Sequence, residues 1–189
     1  RPGPDFMAAV FAVFKIGAIP VLIDPGMGLR NLLNCIRKTS PGAMIGISKA
    51  HWIKYFFPGV FKSVRISVAH GKSAPPWITK LESLLKKNNK DKGFKCVETK
   101  LDDTAAIVFT TGSTGPPKGV VYTHGIYIAQ LDIIRKTYGA GPSETDLPAF
   151  PLFGLFSIAV GMSVVIPDMD PSRPANVNPE KIVAAVTEN

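Results

Sequence analysis

Apolar residues recur at two different spacings along this chain, and the alternation predicts helices interleaved with strands. Phe6, Val10 and Phe14 repeat at helical spacing, and because most positions between them are also apolar, this helix is expected to be buried nearly all round. Gly17 should end the helix, and the apolar run at residues 19–23 predicts a short strand.

The next segments continue this alternation. Apolar runs at residues 44–47 and 64–68 are typical of strands, and a short helix is expected around residues 52–57. The succession favours a parallel sheet covered by helices. An earlier helix is predicted to have an apolar stripe opposite a polar face. The apolar stripe consists of Leu29, Leu32, Leu33 and Ile36, and the polar face consists of Arg30, Asn31, Asn34, Arg37 and Lys38.

The remaining pattern predicts further helices. Thr123 is a plausible N-cap and Gly139 a helix terminator, so a helix is expected between them. Residues 150–166 are almost continuously apolar, which favours buried core, and residues 179–188 look helical. Two apolar stripes are expected to face inward, namely Leu81, Leu84 and Leu85 in a helix at residues 80–87, and Tyr127, Leu131, Ile134 and Tyr138.

Charge adds little to the functional picture. The chain has 189 residues, of which 46% are hydrophobic, and a formal net charge of +8 that is concentrated in the lysine-rich residues 80–100. Aromatic residues are almost absent there, so a nucleic-acid partner is not expected. We favour a solvated loop over docking of an acidic partner such as an acyl carrier protein, or of a membrane surface. A soft subdomain boundary is predicted near residues 90–100.

Cysteine usage and hydropathy point to a soluble protein of a reducing compartment. Cys35 and Cys96 form neither a CxxC pair nor a disulfide framework. The sequence has no recognisable signal peptide and no apolar run long enough to span a bilayer, so a cytoplasmic location is expected.

The strongest chemical pattern lies at residues 107–119, where an apolar strand leads into a loop rich in glycine and hydroxyl side chains that ends at Lys118. Such a loop can hold a polyphosphate, because glycines allow close approach of backbone N–H groups and lysine supplies a compact positive charge. The common NTPase phosphate loop is excluded, because Pro117 and Gly119 flank the lysine where that motif requires glycine and a hydroxyl residue. A second short strand follows at residues 120–122.

Residues 107–118 resemble the signature of the adenylate-forming superfamily, which comprises acyl-CoA synthetases, luciferases and adenylation domains of peptide synthetases. The helix, glycine stop and strand at residues 11–25 resemble the same family, so the resemblance covers nearly the whole chain. Residues 24–28, 150–153 and 166–171 look most similar to the β-lactone synthetases of bacterial olefin biosynthesis.

The resemblance implies an α/β fold of layered helices on mostly parallel sheets, with residues 1–189 as part of the large N-terminal AMP-binding domain, truncated at both ends. It implies ATP and Mg²⁺ as cofactors and activation of a carboxylic acid, with a long-chain acyl group, as an acyl-adenylate. A 3-hydroxy fatty acid would then close to a β-lactone. The alternatives are a long-chain fatty acyl-CoA ligase and a catalytically incomplete fragment that acts only as a binding module.

The resemblance also assigns residues. Thr111, Thr114 and Lys118 are expected to contribute most to catalysis. Phe150, Phe153 and Phe156 are expected to border the acyl chain. The predicted ATP-holding set is Thr110, Thr111, Gly112, Ser113, Thr114, Gly115 and Lys118.

Other polar residues are expected to be structural. Gly154 stands where many acyl-CoA ligases of the superfamily carry a histidine, which puts a histidine gate in doubt. His124 is expected to contact backbone or solvent at a helix start, and Asp170 to form a turn. His51 and His70 lack metal-ligand spacing, so no protein-held metal is expected. A membrane or partner-enzyme contact stays open, as does the oligomeric state.

Overall fold

The computed structural model describes residues 3–71, 74–87, 93–110, 115–150, 152–170 and 173–188. Two compact units interleave along the sequence. The first unit consists of Arg1–Pro20, Cys96–Ala106 and Val121–Asn189, and the second unit of Val21–Lys95 and Ile107–Val120. One crossing between the units falls at Lys95, and the predicted subdomain boundary near residues 90–100 stays a prediction.

Helices and strands alternate along the chain as the apolar pattern predicts. Short 3₁₀ turns lie at Pro25–Met27 and Pro174–Asn176. The other elements, in chain order, are α1 (Pro4–Lys15), β1 (Val21–Ile23), α2 (Leu29–Thr39), β2 (Ala43–Ile47), α3 (Ser48–Phe56), β3 (Ile66–His70), β4 (Thr79–Lys80), α4 (Leu81–Lys87), β5 (Thr104–Thr110), β6 (Lys118–Thr123), α5 (His124–Tyr138), β7 (Thr145–Asp146), α6 (Gly154–Val160), β8 (Ser163–Val164) and α7 (Pro179–Thr187).

The sheets are largely parallel. One has the order β1-β5-β6, with Val21 level with Ile107 in a parallel pairing of β1 and β5. A second has the order β2-β3-β4, and both of its pairings are parallel. The short strands β7 and β8 also pair in parallel. These pairings confirm the predicted α/β class, since parallel neighbours require the helical crossovers that the sequence pattern indicates.

The core of the second unit forms where α2 and α3 pack beside β2. Val60, Phe61 and Val64 are buried there. The strand predicted at residues 64–68 starts two residues later, because Val64 belongs to a turn that is hydrogen-bonded to Phe61. The partly buried residues against this cluster are Leu33, Ile36, Met44 and Ile53.

Local signals at the ends of two helices are confirmed. Gly17 follows α1 with φ of 69°, and Gly139 follows α5 with φ of 66°, a left-handed conformation that glycine adopts without steric cost. The hydroxyl of Thr123 accepts a hydrogen bond from Ile126 N at 3.2 Å, so it caps α5 as predicted.

Burial expectations are wrong for α1, for α4 and, in α5, for Tyr138, which was expected to face inward but is 75% exposed. Helix α1 is buried only at Met7 and Val10, whereas Ala8 on another side is exposed, so one face of this helix is covered and not its whole circumference. Leu84 and Leu85 of α4 are exposed as well, although α4 contacts both β3 and β4. Within the described ranges, no helix has both the length and the apolar character that crossing a bilayer requires.

Candidate functional site

The loop that follows β5 is bounded by two exposed polar residues. Thr110 is the last residue of β5 and Lys118 the first of β6, and these strands are neighbours in one sheet. Gly119 lies against the ring of Phe109, so Thr110 and Lys118, each one residue closer to the loop, leave the sheet at the same edge. A hydroxyl and an ammonium group therefore stand at the two ends of the loop.

Only part of the predicted phosphate-holding set has a described position. Thr111, Gly112, Ser113 and Thr114 lie outside the described residues. Gly115 is exposed, and among the described residues no atom would lie within 4 Å of a Cβ atom there. An anion can thus reach the main chain at this end of the loop.

A second polar residue leaves the same sheet edge from β1. Because Ile23 pairs with Phe109, the residues that follow, Asp24 and Thr110, emerge side by side from parallel strands. The Asp24 carboxylate accepts a hydrogen bond from Gly26 N at 2.8 Å, which shapes the turn after β1. Carboxyl ends of parallel strands are where open α/β sheets bind ligands.

Helix α2 borders the far end of the loop, which the sequence pattern did not predict. A cavity of about 160 Å³ separates Pro116 and Pro117 from α2 residues that include Arg37 and Lys38. Arg37 Nη1 donates to Asn34 Oδ1 at 3.1 Å. The residue spacing within α2 predicts that these cations lie on the polar face of the helix. It does not predict that they lie near the loop, because tertiary packing brings the two together.

Cys35 lines the same cavity but is not a nucleophile candidate. Its side chain is 1% exposed, and burial raises the pKa of the Cys35 thiol, with Lys38 acting more weakly in the opposite direction. The thiol therefore stays protonated near neutral pH, and the cavity offers cations and no reactive thiolate.

The second unit as a whole is strongly cationic. It contains 15 of the 22 lysines and arginines but only three of the 14 acidic residues, a formal charge of +12. The first unit has a formal charge of −4 by the same count. This asymmetry favours a polyanion at the loop of the second unit.

The predicted acyl-contacting phenylalanines fall into two environments in the first unit. Phe150 and Phe153 are 39% and 62% exposed, and their ring centroids lie 5.7 Å apart. Phe156 instead packs edge-on against Tyr127 at 5.7 Å. The interpretation of residues 150–166 as buried core is therefore wrong for Phe150 and Phe153, which precede the first residue of α6 and are exposed.

Tyr127 is the centre of an aromatic group between α1, β6 and α5. Its ring stacks on Tyr122 at 5.1 Å and meets Phe14 edge-on at 6.2 Å. Burial, together with the Tyr122 hydroxyl, raises the pKa of Tyr127 to about 12. This phenol is consequently neutral at physiological pH and unsuited to act as a base.

Gly154 is confined by its surroundings. A Cβ atom there would lie 3.0 Å from Met7 Cε and 3.2 Å from both Pro148 Cγ and Val164 Cγ1. An imidazole cannot enter this space without displacing its neighbours. The packing of α6 against α1 and β8 therefore leaves too little space for a histidine side chain at this position.

The remaining polar candidates have structural partners. His124 N donates to Asp103 O at 3.1 Å, and its ring contacts Phe14, in addition to the predicted backbone contact. Asp168 pairs with Lys181, and Asp170 O accepts from Arg173 N in the predicted turn. Within the part of the chain that the structure describes, no three histidine, cysteine or carboxylate side chains could together hold a metal ion.

His51 is buried, and its Nε2 lies 3.1 Å from Val68 O. His70 is close to Glu82 at 3.5 Å, and the exposed Glu82 carboxylate has its pKa lowered by hydrogen bonds from its own backbone and from Gly71 N. Both histidines therefore have contacts within the second unit, His51 with β3 and His70 with α4.

Comparison with known proteins identifies the family of this chain. The family profile described as AMP-binding enzyme matches residues 1–187. An olefin beta-lactone synthetase of Xanthomonas campestris pv. campestris is 40% identical over 187 residues, which cover 99% of this chain and 33% of that protein. An olefin beta-lactone synthetase of Stenotrophomonas maltophilia is 41% identical over 186 residues, which cover 98% and 33% respectively. The chain thus spans about a third of the length of these curated relatives.

A solved structure shares the fold at low sequence identity. The crystal structure of an anthranilate CoA ligase in complex with anthranoyl-AMP superposes with a TM-score of 0.82 at 17% identity, covering 98% of this chain and 36% of that one. This similarity supports the predicted architecture of layered helices and mostly parallel sheets.

Proposed function

Since this chain belongs to the AMP-binding enzyme family, we propose that it forms the ATP-holding part of an enzyme that activates a carboxylic acid as its acyl-adenylate. The observation that carries this proposal is the position of Thr110 and Lys118, both exposed, at the two ends of one loop in a unit of formal charge +12. An exposed hydroxyl, an ammonium group and open backbone at Gly115 suit the β- and γ-phosphates of ATP.

In the proposed reaction a carboxylate oxygen of the acid forms a bond to the α-phosphorus of ATP, and the bond from that phosphorus to the bridging oxygen breaks, releasing pyrophosphate. The main barrier is electrostatic, because an anion must approach a polyanion. Lys118 and the loop hydroxyls of Thr110, Thr111, Ser113 and Thr114 would hold the departing phosphates and offset their charge. Thr111, Thr114 and Lys118 are proposed as the strongest contributors.

Magnesium would enter with the nucleotide. The described residues contain no carboxylate or imidazole cluster that could hold the ion independently, whereas hydroxyl oxygens of the loop are suitable secondary ligands. Bound Mg²⁺ would neutralise part of the phosphate charge. The protein groups then need only to orient the phosphates and let pyrophosphate leave, while Pro116 and Pro117 restrain the far end of the loop.

For the substrate we propose a 3-hydroxy fatty acid that closes to a β-lactone, with Phe150, Phe153 and Phe156 bordering its alkyl chain. The names of the two bacterial relatives support this choice. The confined Gly154 also favours it over a thioester-forming ligase that depends on a histidine at this position. Exposed apolar rings at Phe150 and Phe153 are suited to contact an acyl chain.

The test uses the complete gene product with ATP and a 3-hydroxy fatty acid, with and without coenzyme A. Pyrophosphate release accompanied by lactone supports the proposal, and a thioester without lactone identifies a long-chain acyl-CoA ligase instead. If the protein neither releases pyrophosphate nor binds ATP, the adenylation proposal is refuted. The chain would then belong to a catalytically incomplete protein that acts only as a binding module.

The matched variants are Lys118→Ala and Lys136→Ala. Loss of one preorganised cation that stabilises the leaving phosphates is expected to lower kcat/KM of pyrophosphate release by roughly a hundredfold, with little change in affinity for the fatty acid. Lys136 is exposed on α5, so its replacement should leave the rate unchanged. Equal rates for both variants would contradict the role assigned to Lys118.

A further inference from the structure

The outward side of α3 carries large aromatic side chains in place of polar ones. Trp52, Tyr55 and Phe56 are 41%, 62% and 68% exposed. Trp77, which precedes β4 and is 60% exposed, joins them with its ring centroid 5.7 Å from that of Trp52 and 6.2 Å from that of Tyr55. We call these four residues the aromatic face.

The aromatic face is not required to complete the core of its unit. The opposite side of α3 already packs inward, through buried His51 bonded to Val68 O and through Ile53 against the Val60, Phe61 and Val64 cluster. Four contiguous exposed rings on a folded surface are therefore an interaction site candidate, because isolated domains seldom expose such a patch.

Cations border the aromatic face on two sides. A groove of about 500 Å³ runs beside Trp77, and its walls include Lys54, Arg65, Ile66 and Leu84. Lys54 Nζ donates to Ser67 Oγ at 2.6 Å, which holds its ammonium group at the groove. Among the described residues that line the groove, none is acidic.

Lys49 adds a further positive charge to this surface. It is exposed and precedes Trp52 by three and Phe56 by seven positions, so helical geometry puts the three on one side of α3. The unit that contains all these residues has a formal charge of +12. Cations therefore lie beside the aromatic face, with Lys49 on the same side of α3 and with Lys54 and Arg65 in the groove that Trp77 also lines.

We propose that the aromatic face and its bordering cations dock on an anionic lipid bilayer. Indole and phenol rings have an apolar body and a polar edge, which is why tryptophan and tyrosine concentrate at the headgroup level of membranes. Lysine and arginine beside them are attracted to anionic headgroups. An anionic bilayer satisfies both halves of this surface together, since it presents an apolar interior directly under a layer of negative charge.

An acidic protein could satisfy the cations, but it would have to bring a matching apolar patch to cover four exposed rings. The bilayer needs no such specific complement. The docking would be peripheral, and it would bring an enzyme of the proposed function to a surface where apolar acids accumulate, although the docking does not depend on that function.

The test is co-sedimentation of the complete gene product with vesicles that contain phosphatidylglycerol beside phosphatidylcholine, and with vesicles of phosphatidylcholine alone. We expect binding to the first kind and little binding to the second, weakened at high salt. The paired substitutions Lys54→Gln and Arg65→Gln are expected to weaken binding by roughly tenfold or more. Phe56→Ser with Trp77→Ser is expected to abolish it.

The matched control is Tyr138→Ser with Lys136→Gln on α5, where Tyr138 is 75% exposed. Circular dichroism checks that each variant is folded, and the charge variant carries the test if the aromatic variant is not. Binding that survives both variants, or no binding to either vesicle, overturns the proposal. The proposal is also overturned if the protein does not bind vesicles and the variants instead change its oligomeric state. The same holds if the protein does not bind vesicles and the variants instead reduce its capture of an acidic protein.

Discussion

A Cβ atom on Gly119 would lie 3.2 Å from Cζ of Phe109 and 3.3 Å from Cγ2 of Ile107. Strand β6 therefore approaches β5 at a point where the Phe109 ring is buried and has little room to move. Gly119→Ala is expected to reduce the free energy of unfolding by about 1–3 kcal/mol through overpacking. Urea denaturation monitored by circular dichroism measures this loss.

Gly59→Ala is the matched control for that substitution. A Cβ atom at Gly59 would meet nothing within 4 Å. Alanine there should leave the free energy of unfolding unchanged or raise it by up to about 1 kcal/mol, because it restricts the unfolded chain. Similar effects of the two substitutions would show that the contact with Phe109 does not restrict position 119.

Introduction of a histidine at Gly154 is expected to destabilise the protein. The Cβ atom alone would contact Pro148 and Val164 at 3.2 Å, and the ring needs more space. We expect a loss of about 3 kcal/mol or more, at the upper end of overpacking effects. Thermal unfolding provides the measurement.

The neighbouring substitution Phe153→His introduces the same imidazole at an exposed position. Phe153 is 62% exposed, so this variant should unfold close to the wild-type temperature. If Gly154→His were as stable as Phe153→His, packing would not be the reason for glycine at position 154.

Because of Tyr127, we expect the free energy of unfolding to fall in alkaline solution. Its pKa is raised from the ordinary 10.0 to about 12 by burial and by Tyr122, so the folded state favours the neutral phenol. That preference contributes fully below pH 10 and is lost as the pH rises from 10 to about 12, because the unfolded chain ionises first. Tyr127→Phe should flatten this decline in the urea midpoint.

Tyr138→Phe serves as the control for the alkaline series, since the Tyr138 side chain is 75% exposed. Its urea midpoints should follow those of the wild type throughout. A wild-type decline that Tyr127→Phe leaves unaltered would assign the alkaline sensitivity to another group.

The two cysteines are expected to differ in reactivity. Cys35 is 1% exposed and burial raises its pKa, whereas Cys96 is exposed. Iodoacetamide should therefore modify Cys96 rapidly and Cys35 only after unfolding, as followed by mass spectrometry of peptides. Equal labelling of both in the native protein would contradict the burial of Cys35 in α2.

Features set by neighbouring residues were predictable from sequence. The cap at Thr123 and the left-handed stop at Gly139 depend on a few consecutive residues, so the limits of α5 agree with the pattern. The hydroxyls, glycines and lysine between Thr110 and Lys118 are also contiguous, so the motif is visible in the sequence, whereas its phosphate-holding role stays a proposal.

Burial was less predictable, because it depends on what lies opposite a residue. Leu85 and Phe153 are apolar and were expected to be covered, yet both are more than 60% exposed. The proximity of Arg37 to Pro117 could not be read from α2, since the two residues are far apart in sequence and meet only in the folded unit.

By itself, the sequence determined the class of fold, the ends of α5 and the family to which the chain belongs, because propensity, capping and motif spacing act over short stretches of chain. Only the tertiary structure decided that Asp24 leaves the sheet beside Thr110, that a Cβ atom at position 119 or 154 would meet close neighbours, and that Trp52 and Trp77 share one exposed surface. These relationships join residues that are distant along the chain, and strand register and packing, which no local pattern specifies, bring them together.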